Sequence, residues 1–379
     1  MSKLISQGGF GCVYHPGIKC DGTTDKKKFV SKLQINDYTA YNEIEIGKLI
    51  KSIPNFESFF LPIIEYCKVD VSEIDQHLIE KCNTLHNNTD LVLMKMNYVQ
   101  NKSFYHFIDT NKSNIFSLLI DKYLYLLNSL EILNKHKIVH FDLKDENILL
   151  NSKNLNPIII DYGISLNMNK FKIENVEDYF YVHAPEYYIW SFDIHIINFL
   201  SRKVDDDNFK IKKENIIHIA EEYTSNHKIL SFFSEKFVYF YKEQCIQFGF
   251  QFVNKTRAEV IKLLTNEKYY STWDNFSLSC LILKSFKYIF DNKFINIHLF
   301  KEIVQLIIIN IHPDPKKRYS IYKTKEKLNL IINNTQDSIE NLFTFTNHIS
   351  VKKDKINVYI KDDNKTIQRI HKQNLKTKI

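Results

Sequence analysis

Glycine, proline, methionine and tryptophan are scarce in this chain, with eight, seven, four and two copies in 379 residues. A cluster of glycines is therefore informative wherever one occurs. The six cysteines, Cys12, Cys20, Cys67, Cys82, Cys245 and Cys280, contain no CxxC pair. That spacing argues against a zinc site and a disulfide framework, and for a reducing compartment. No run approaches the ~18 to 20 apolar residues that a membrane span needs. The longest candidate, Ile303 to Ile311, is short and interrupted by Gln305 and Asn310. With 44% hydrophobic and 25% charged residues, the composition is that of a soluble globular chain long enough for two cores. A soluble intracellular protein is expected.

Charge is distributed unevenly. Residues 351–379 hold nine Lys or Arg against three Asp, which supplies six of the net +7. The body is nearly neutral, and 336–379 reads as a basic tail. Such a tail suits nucleic acid, an anionic surface or an acidic substrate. Its aromatic interleaving is limited to Tyr359, so a solvated extension is the plainer reading.

The most informative stretch is His140-Phe141-Asp142-Leu143-Lys144-Asp145-Glu146-Asn147. Its spacing is that of a phosphoryl-transfer loop. Asp142 can orient an attacking hydroxyl, Lys144 can neutralise charge on a moving phosphate, and Asn147 can hold a magnesium ion. Downstream, Pro157 to Ile160 reads as a short buried strand that delivers Asp161-Tyr162-Gly163, and with it a second metal ligand.

Near the N-terminus, Ile5 to Tyr14 carries Ser6, Gly8, Gly9, Phe10, Gly11 and Val13 in a glycine-rich turn between two strand patterns. Backbone N–H groups reach phosphate oxygens closely only where no Cβ intervenes. Taken alone the turn is an ordinary hairpin, but four of the eight glycines fall here and at Gly163. Because the turn begins at Ile5, no signal peptide is expected.

In this order the motifs resemble the catalytic core of the eukaryotic-type protein kinases. The resemblance implies an α+β, bilobal fold, with a small β-rich lobe and hinge over 1–99 and a large, mainly helical lobe over 100–335. It implies ATP and Mg²⁺, with Mn²⁺ as a substitute, and a protein substrate. By the same resemblance Ser6 stands for the first glycine of the loop, and Lys32 anchors the nucleotide. Glu43 pairs with Lys32, with Glu45 the second choice on the same helix. Met96 would be the gatekeeper, and the backbone of Asn97 to Val99 would meet the adenine. Asp142 and Lys144 are the catalytic pair, Asn147 and Asp161 the metal ligands, and His140 a brace for the loop.

Residues 113–137 predict a long amphipathic helix. Ala184-Pro185-Glu186 matches the motif closing the activation segment, and Arg318 its ion-pair partner. Asp274 matches the central-helix aspartate that caps the catalytic loop, yet it comes 88 residues after Glu186. A folded helical insertion over about 189–268 is implied; Asp193 is a rival for the central aspartate. Phe141 replaces an arginine that often receives an activation-segment phosphate, which predicts activity without such phosphorylation. Tyr179 takes roughly the place of a threonine that contacts the catalytic Asp, while Lys144 favours Ser/Thr acceptors.

Two other readings are open: a pseudokinase acting as a binding module, and a small-molecule kinase related to aminoglycoside phosphotransferases. Retention of Lys32, Asp142, Asn147 and Asp161 argues against the first, and Arg318 with the glycine loop against the second. The loop sequence, composition and insertion resemble kinases of giant DNA viruses, which would imply action in a host's cytoplasm or packaging in virions.

Overall fold

Alternating apolar and polar residues over the first hundred positions resolve into an antiparallel sheet in the computed structural model. The structure describes residues 1–85, 90–103, 106–107, 115–204, 206, 208–289 and 298–334; the basic tail lies outside them. The described residues divide into two compact units, one built from 1–103 with 146–165 and the other from 106–145 with 166–334.

In the first unit, β1 (Lys3–Gln7), β2 (Gly11–His15), β3 (Phe29–Ile35), β4 (Glu65–Asp70) and β5 (Asp90–Asn97) form a sheet in the order β1-β2-β3-β5-β4. Helix α1 (Tyr38–Lys51) starts where Asp37 accepts from the Ala40 N–H at 3.1 Å, an N-cap placed directly after β3. Period-two alternation gives the sheet two buried faces. One carries Val30, Met94 and Met96 against Ala40 and Ile44 of α1. The other carries Cys12, Tyr14, Leu33, Leu91 and Leu93 under the segment that contains helix α2 (Gln76–Glu80).

That second face corrects the reading of the cysteines. Cys12 is bonded to Cys82 and Cys20 to Cys67. The partners are 70 and 47 residues apart, so no local spacing announces them. Strand pairing and the α2 cap bring them together. Cys245 and Cys280 are free and buried. The unit is completed by a second sheet, β6 (Asn101–Lys102), β8 (Ile148–Asn151) and β9 (Pro157–Ile159), in the order β6-β8-β9.

Among its described residues the second unit is mainly helical, with a two-stranded ribbon of β7 (Ile138–Val139) and β10 (Leu166–Asn167). Helix α3 (Ile115–Lys135) ends two residues earlier than expected, with 113 and 114 outside the described residues, and buries Leu119, Tyr123, Leu126, Leu127, Leu130 and Leu133. After the short α4 (Val176–Tyr179) come α5 (Phe192–Lys203), α6 (Lys213–Asn226), α7 (Glu235–Phe250), α8 (Arg257–Leu264) and α9 (Glu267–Tyr270). These helices occupy the stretch read as an insertion. Helix α10 (Trp273–Ile289) and α12 (Ile321–Asn334) pack against α3, and α11 (His298–Asn310) packs against both α10 and α12.

Candidate active site

Lys32 lies mid-strand in β3, opposite Val13 of β2 and Met94 of β5. Its ammonium is buried and donates to Glu43 Oε2 at 2.7 Å and to Asp161 Oδ1 at 3.2 Å. Burial alone would lower its pKa; Asp161 and Glu43 outweigh it and hold the lysine above its usual range. Of the two candidate glutamates, Glu43 is therefore the partner. Glu45 binds Lys48 at the surface, at 2.6 Å.

Asp161 sits just past β9 with φ 64°, a left-handed conformation that costs an L-residue on the order of 1 kcal/mol. The neighbouring backbone secures it. Asn42 of α1 donates to the carbonyls of Gly163 at 3.1 Å and Ser165 at 2.8 Å, and the Tyr162 hydroxyl donates to the Ile159 carbonyl at 2.7 Å. Asn147 is buried, and its carbonyl accepts from the Ile160 N–H at 3.0 Å. Asn147 and Asp161 are hard oxygen donors of the kind Mg²⁺ takes, with the remaining ligands coming from phosphate and water. No cluster of three His, Cys, Asp or Glu able to hold an ion exists among the described residues.

The glycine turn joins β1 to β2, and the Gly8 N–H donates to the Gly11 carbonyl at 3.0 Å. Gly11 is demanded by the sheet itself, because a Cβ there would stand 2.7 Å from Gln34 Cβ. A Cβ at Gly8 would meet nothing within 4 Å, so the protein's own packing does not demand that glycine. An open backbone at this position suits the approach of a phosphate. Ser6 is exposed opposite Val13, while Gly9 and Phe10 are buried. Met96 faces Val30 across the sheet in the α1-side core, and Asn97 closes β5 opposite Phe29. The Val99 carbonyl accepts from Asn101 at 3.0 Å.

Asp142 and Lys144 belong to the second unit, both buried. Lys144 donates to the two Asp142 oxygens at 3.0 and 2.9 Å. The Tyr187 hydroxyl donates to Asp142 Oδ1 and accepts from Lys144 at 3.2 Å. Tyr179, expected near the catalytic aspartate, instead packs its ring on Phe171 at 5.5 Å. Three residues past Tyr187, Trp190 Nε1 donates to the Phe141 carbonyl at 2.9 Å and ties this stretch to the loop that carries Asp142. Asp274, at the start of α10, accepts from the His140 and Phe141 N–H groups at 2.7 and 3.0 Å. Burial raises its carboxyl, opposed by His140 and those two N–H groups. This clamp holds Phe141 at φ 66°.

The expected Glu186–Arg318 pair is not the one observed. Arg318 donates to Asp193 Oδ1 at 2.7 Å, with both side chains fully buried, and Asp193 also accepts from Trp273 Nε1 at 2.6 Å. Asp193 thus takes the closing role that its sequence neighbours hid, and Glu186 sits half-buried next to Tyr187. The misleading signal was the Ala-Pro-Glu triplet, seven residues too early.

Residues 1–189 of the chain match the protein kinase domain. With a β-sheet first unit and a helical second unit, this is a protein-kinase fold of the α+β class. The matched part ends before α5, so Asp193, Asp274 and Arg318 lie beyond it. Among curated proteins, the chain is 25% identical over 168 residues to the serine/threonine-protein kinase fused of Drosophila melanogaster, covering 44% of this chain and 18% of that one. It is 31% identical over 178 residues to the dual specificity protein kinase zakA of Dictyostelium discoideum, covering 45% and 19%. The chain spans under a fifth of the length of these relatives. The matches support the eukaryotic-type protein kinase superfamily.

Proposed function

We propose that this chain is a Mg²⁺-ATP-dependent protein kinase that phosphorylates Ser or Thr of a protein substrate. The observation that carries the reading is the buried Lys32, held charged between Glu43 and Asp161 in a β-sheet unit that also carries the open glycine turn. A buried cation with two carboxylates is expensive to maintain and needs a reason such as polyphosphate binding.

In this reading Lys32 and the turn's N–H groups bind the phosphates of ATP. The side of β3 and β5 that bears Val30 and Met96 takes the adenine, with the backbone of Asn97 to Val99 at its edge. Asp142 accepts the proton of the substrate hydroxyl as that oxygen forms a bond to the γ-phosphorus; the bond to the β,γ-bridging oxygen breaks and ADP leaves. Lys144 offsets charge on the transferring group. Asn147 and Asp161 would hold Mg²⁺, which when bound neutralises phosphate charge.

Activation-segment phosphorylation is not required in this reading. Where an arginine would receive a phosphate, Phe141 packs on Trp190 at 5.0 Å, Phe180 at 5.5 Å and Trp273 at 6.0 Å. An apolar cluster in that place orders the segment by burial and has no use for added charge.

The test is γ-phosphate transfer from Mg²⁺-ATP to a generic basic protein and to the chain itself, with the acceptor residue identified by mass spectrometry. Wild-type transfer to Ser or Thr, with Asp142→Asn slower by about 10³-fold or more, is the expected result. Nucleotide binding with no transfer to any acceptor would leave a binding module, and phosphotyrosine as the main product would overturn the acceptor class.

A further inference from the structure

Asp145 stands where the kinase pattern has proline, a change that looks mild in sequence. In the second unit it is buried, and its Oδ1 accepts from Lys284 of α10 at 2.9 Å, each side chain 3% exposed. Lys284 also donates to the Tyr188 hydroxyl at 3.1 Å and lies 5.2 Å from that ring's centroid. Tyr188 is itself buried. The residue before it, Tyr187, bonds both Asp142 and Lys144. Two consecutive tyrosines therefore each accept from the lysine of a buried aspartate–lysine pair.

Neither half of the new pair is accidental. A buried lysine is stabilised by a carboxylate and a buried aspartate by a cation, so each residue supports the other. Proline at 145 would take a carboxylate from Lys284, and an apolar residue at 284 would take a cation from Asp145. The pair also joins three parts of the unit. Asp145 belongs to the catalytic loop, Tyr188 follows the activation segment, and Lys284 lies ten residues along α10 from Asp274, which clamps the loop's other end.

We propose that Asp145, Lys284 and Tyr188 form a positioning triad that locks the catalytic loop to α10 and to the segment after residue 186. It presents Asp142 in its working orientation without any phosphate on the activation segment. The inference rests on the kinase reading above. None of the three touches the transferring group; they act through Asp142 and Lys144, three and one residues from Asp145.

Such a role predicts a split between rate and affinity. Lys284→Met and Asp145→Asn should each lower kcat by about 10- to 100-fold, since small displacements of reacting groups have effects of that order. KM for ATP should stay within about twofold, because the nucleotide-binding residues belong to the other unit. The double variant Asp145→Asn/Lys284→Met removes both buried charges and should be no slower than the slower single variant, as expected for groups acting as one unit. Tyr188→Phe should give a smaller loss in kcat. Wild type treated with phosphatase should keep its rate.

Thermal denaturation of each variant separates this from a folding effect. If the single variants fail to fold, the neutral double variant and Tyr188→Phe decide. A double variant and a Tyr188→Phe that fold and turn over at the wild-type rate would sink the triad while leaving the kinase reading intact. So would loss of wild-type activity on phosphatase treatment. No transfer by wild type under any condition would remove the kinase reading and the triad together.

Discussion

At the scale of single residues, charge placement carries most of the argument. Lys32 stays protonated because two carboxylates offset its burial. Lys32→Met should therefore raise KM for ATP and lower kcat/KM by about 10²- to 10³-fold, the usual effect of deleting one pre-organised charge. A variant with unchanged kcat/KM would remove Lys32 from the site. The Asp193–Arg318 pair is structural. Asp193→Asn removes the carboxylate from a fully buried guanidinium and should destabilise by about 3 to 5 kcal/mol. Urea denaturation of the variant would check this, and an unchanged stability would contradict it. The Tyr187 hydroxyl is a finer case. Tyr187→Phe keeps the ring under Lys144 but removes one bond to Asp142, so kcat should fall with little change in melting temperature.

Among elements, the β1–β2 hairpin shows how a short motif depends on what lies behind it. Gly11 lets β2 approach β3, and the next residue, Cys12, is tied to the α2 cap by a disulfide. The Tyr14 hydroxyl adds a bond to the Leu78 carbonyl at 2.8 Å. Opening the 70-residue loop closed by Cys12 and Cys82 should destabilise the protein by about 2 to 4 kcal/mol. Cys82→Ser, or wild type in dithiothreitol, should melt several degrees lower, and an unchanged melting temperature would mean that the bond contributes nothing. The two bonds went unforeseen because cysteine spacing reveals only local partners. A folded helical stretch over about 189–268 is an expectation from the sequence, but which carboxylate near its start meets Arg318 is not legible there.

For the molecule as a whole, three histidines in the helical unit tie stability to pH. Burial lowers His227 to about 3 and His312 to about 4, and holds His195 well below its usual value. A pKa below the unfolded value means that the unfolded chain takes up protons first. Stability is then full above about pH 6.5 and is lost as pH falls from there toward 4. Each histidine contributes a slope of up to about 1.4 kcal/mol per pH unit across that window. Asp274 and Glu43, raised by burial, work in the opposite sense but are two groups against three. Melting temperature should decline steadily between pH 6.5 and 4.5; a flat profile would show these histidines reaching water. Among the described residues no helix is long and apolar enough to cross a membrane.

What the sequence determined by itself was the ordered set of short motifs. Glycines at 8, 9 and 11, Lys32 ending an apolar run, and Asp142, Lys144, Asn147 and Asp161 at close spacing are local patterns, and local patterns survive without coordinates. Through the resemblance to protein kinases that they carry came the α+β class, and among them are the candidate residues Lys32, Asn147 and Asp161 now grouped in the first unit. Tertiary structure alone decided the pairings Asp193 over Glu186, Tyr187 over Tyr179, Cys12 with Cys82, and Lys284 on Asp145. Each joins residues far apart in the chain or chooses between chemically equal neighbours. Only burial makes that choice, because a charge or thiol taken out of water is stabilised by whichever partner the packing places within about 3 Å.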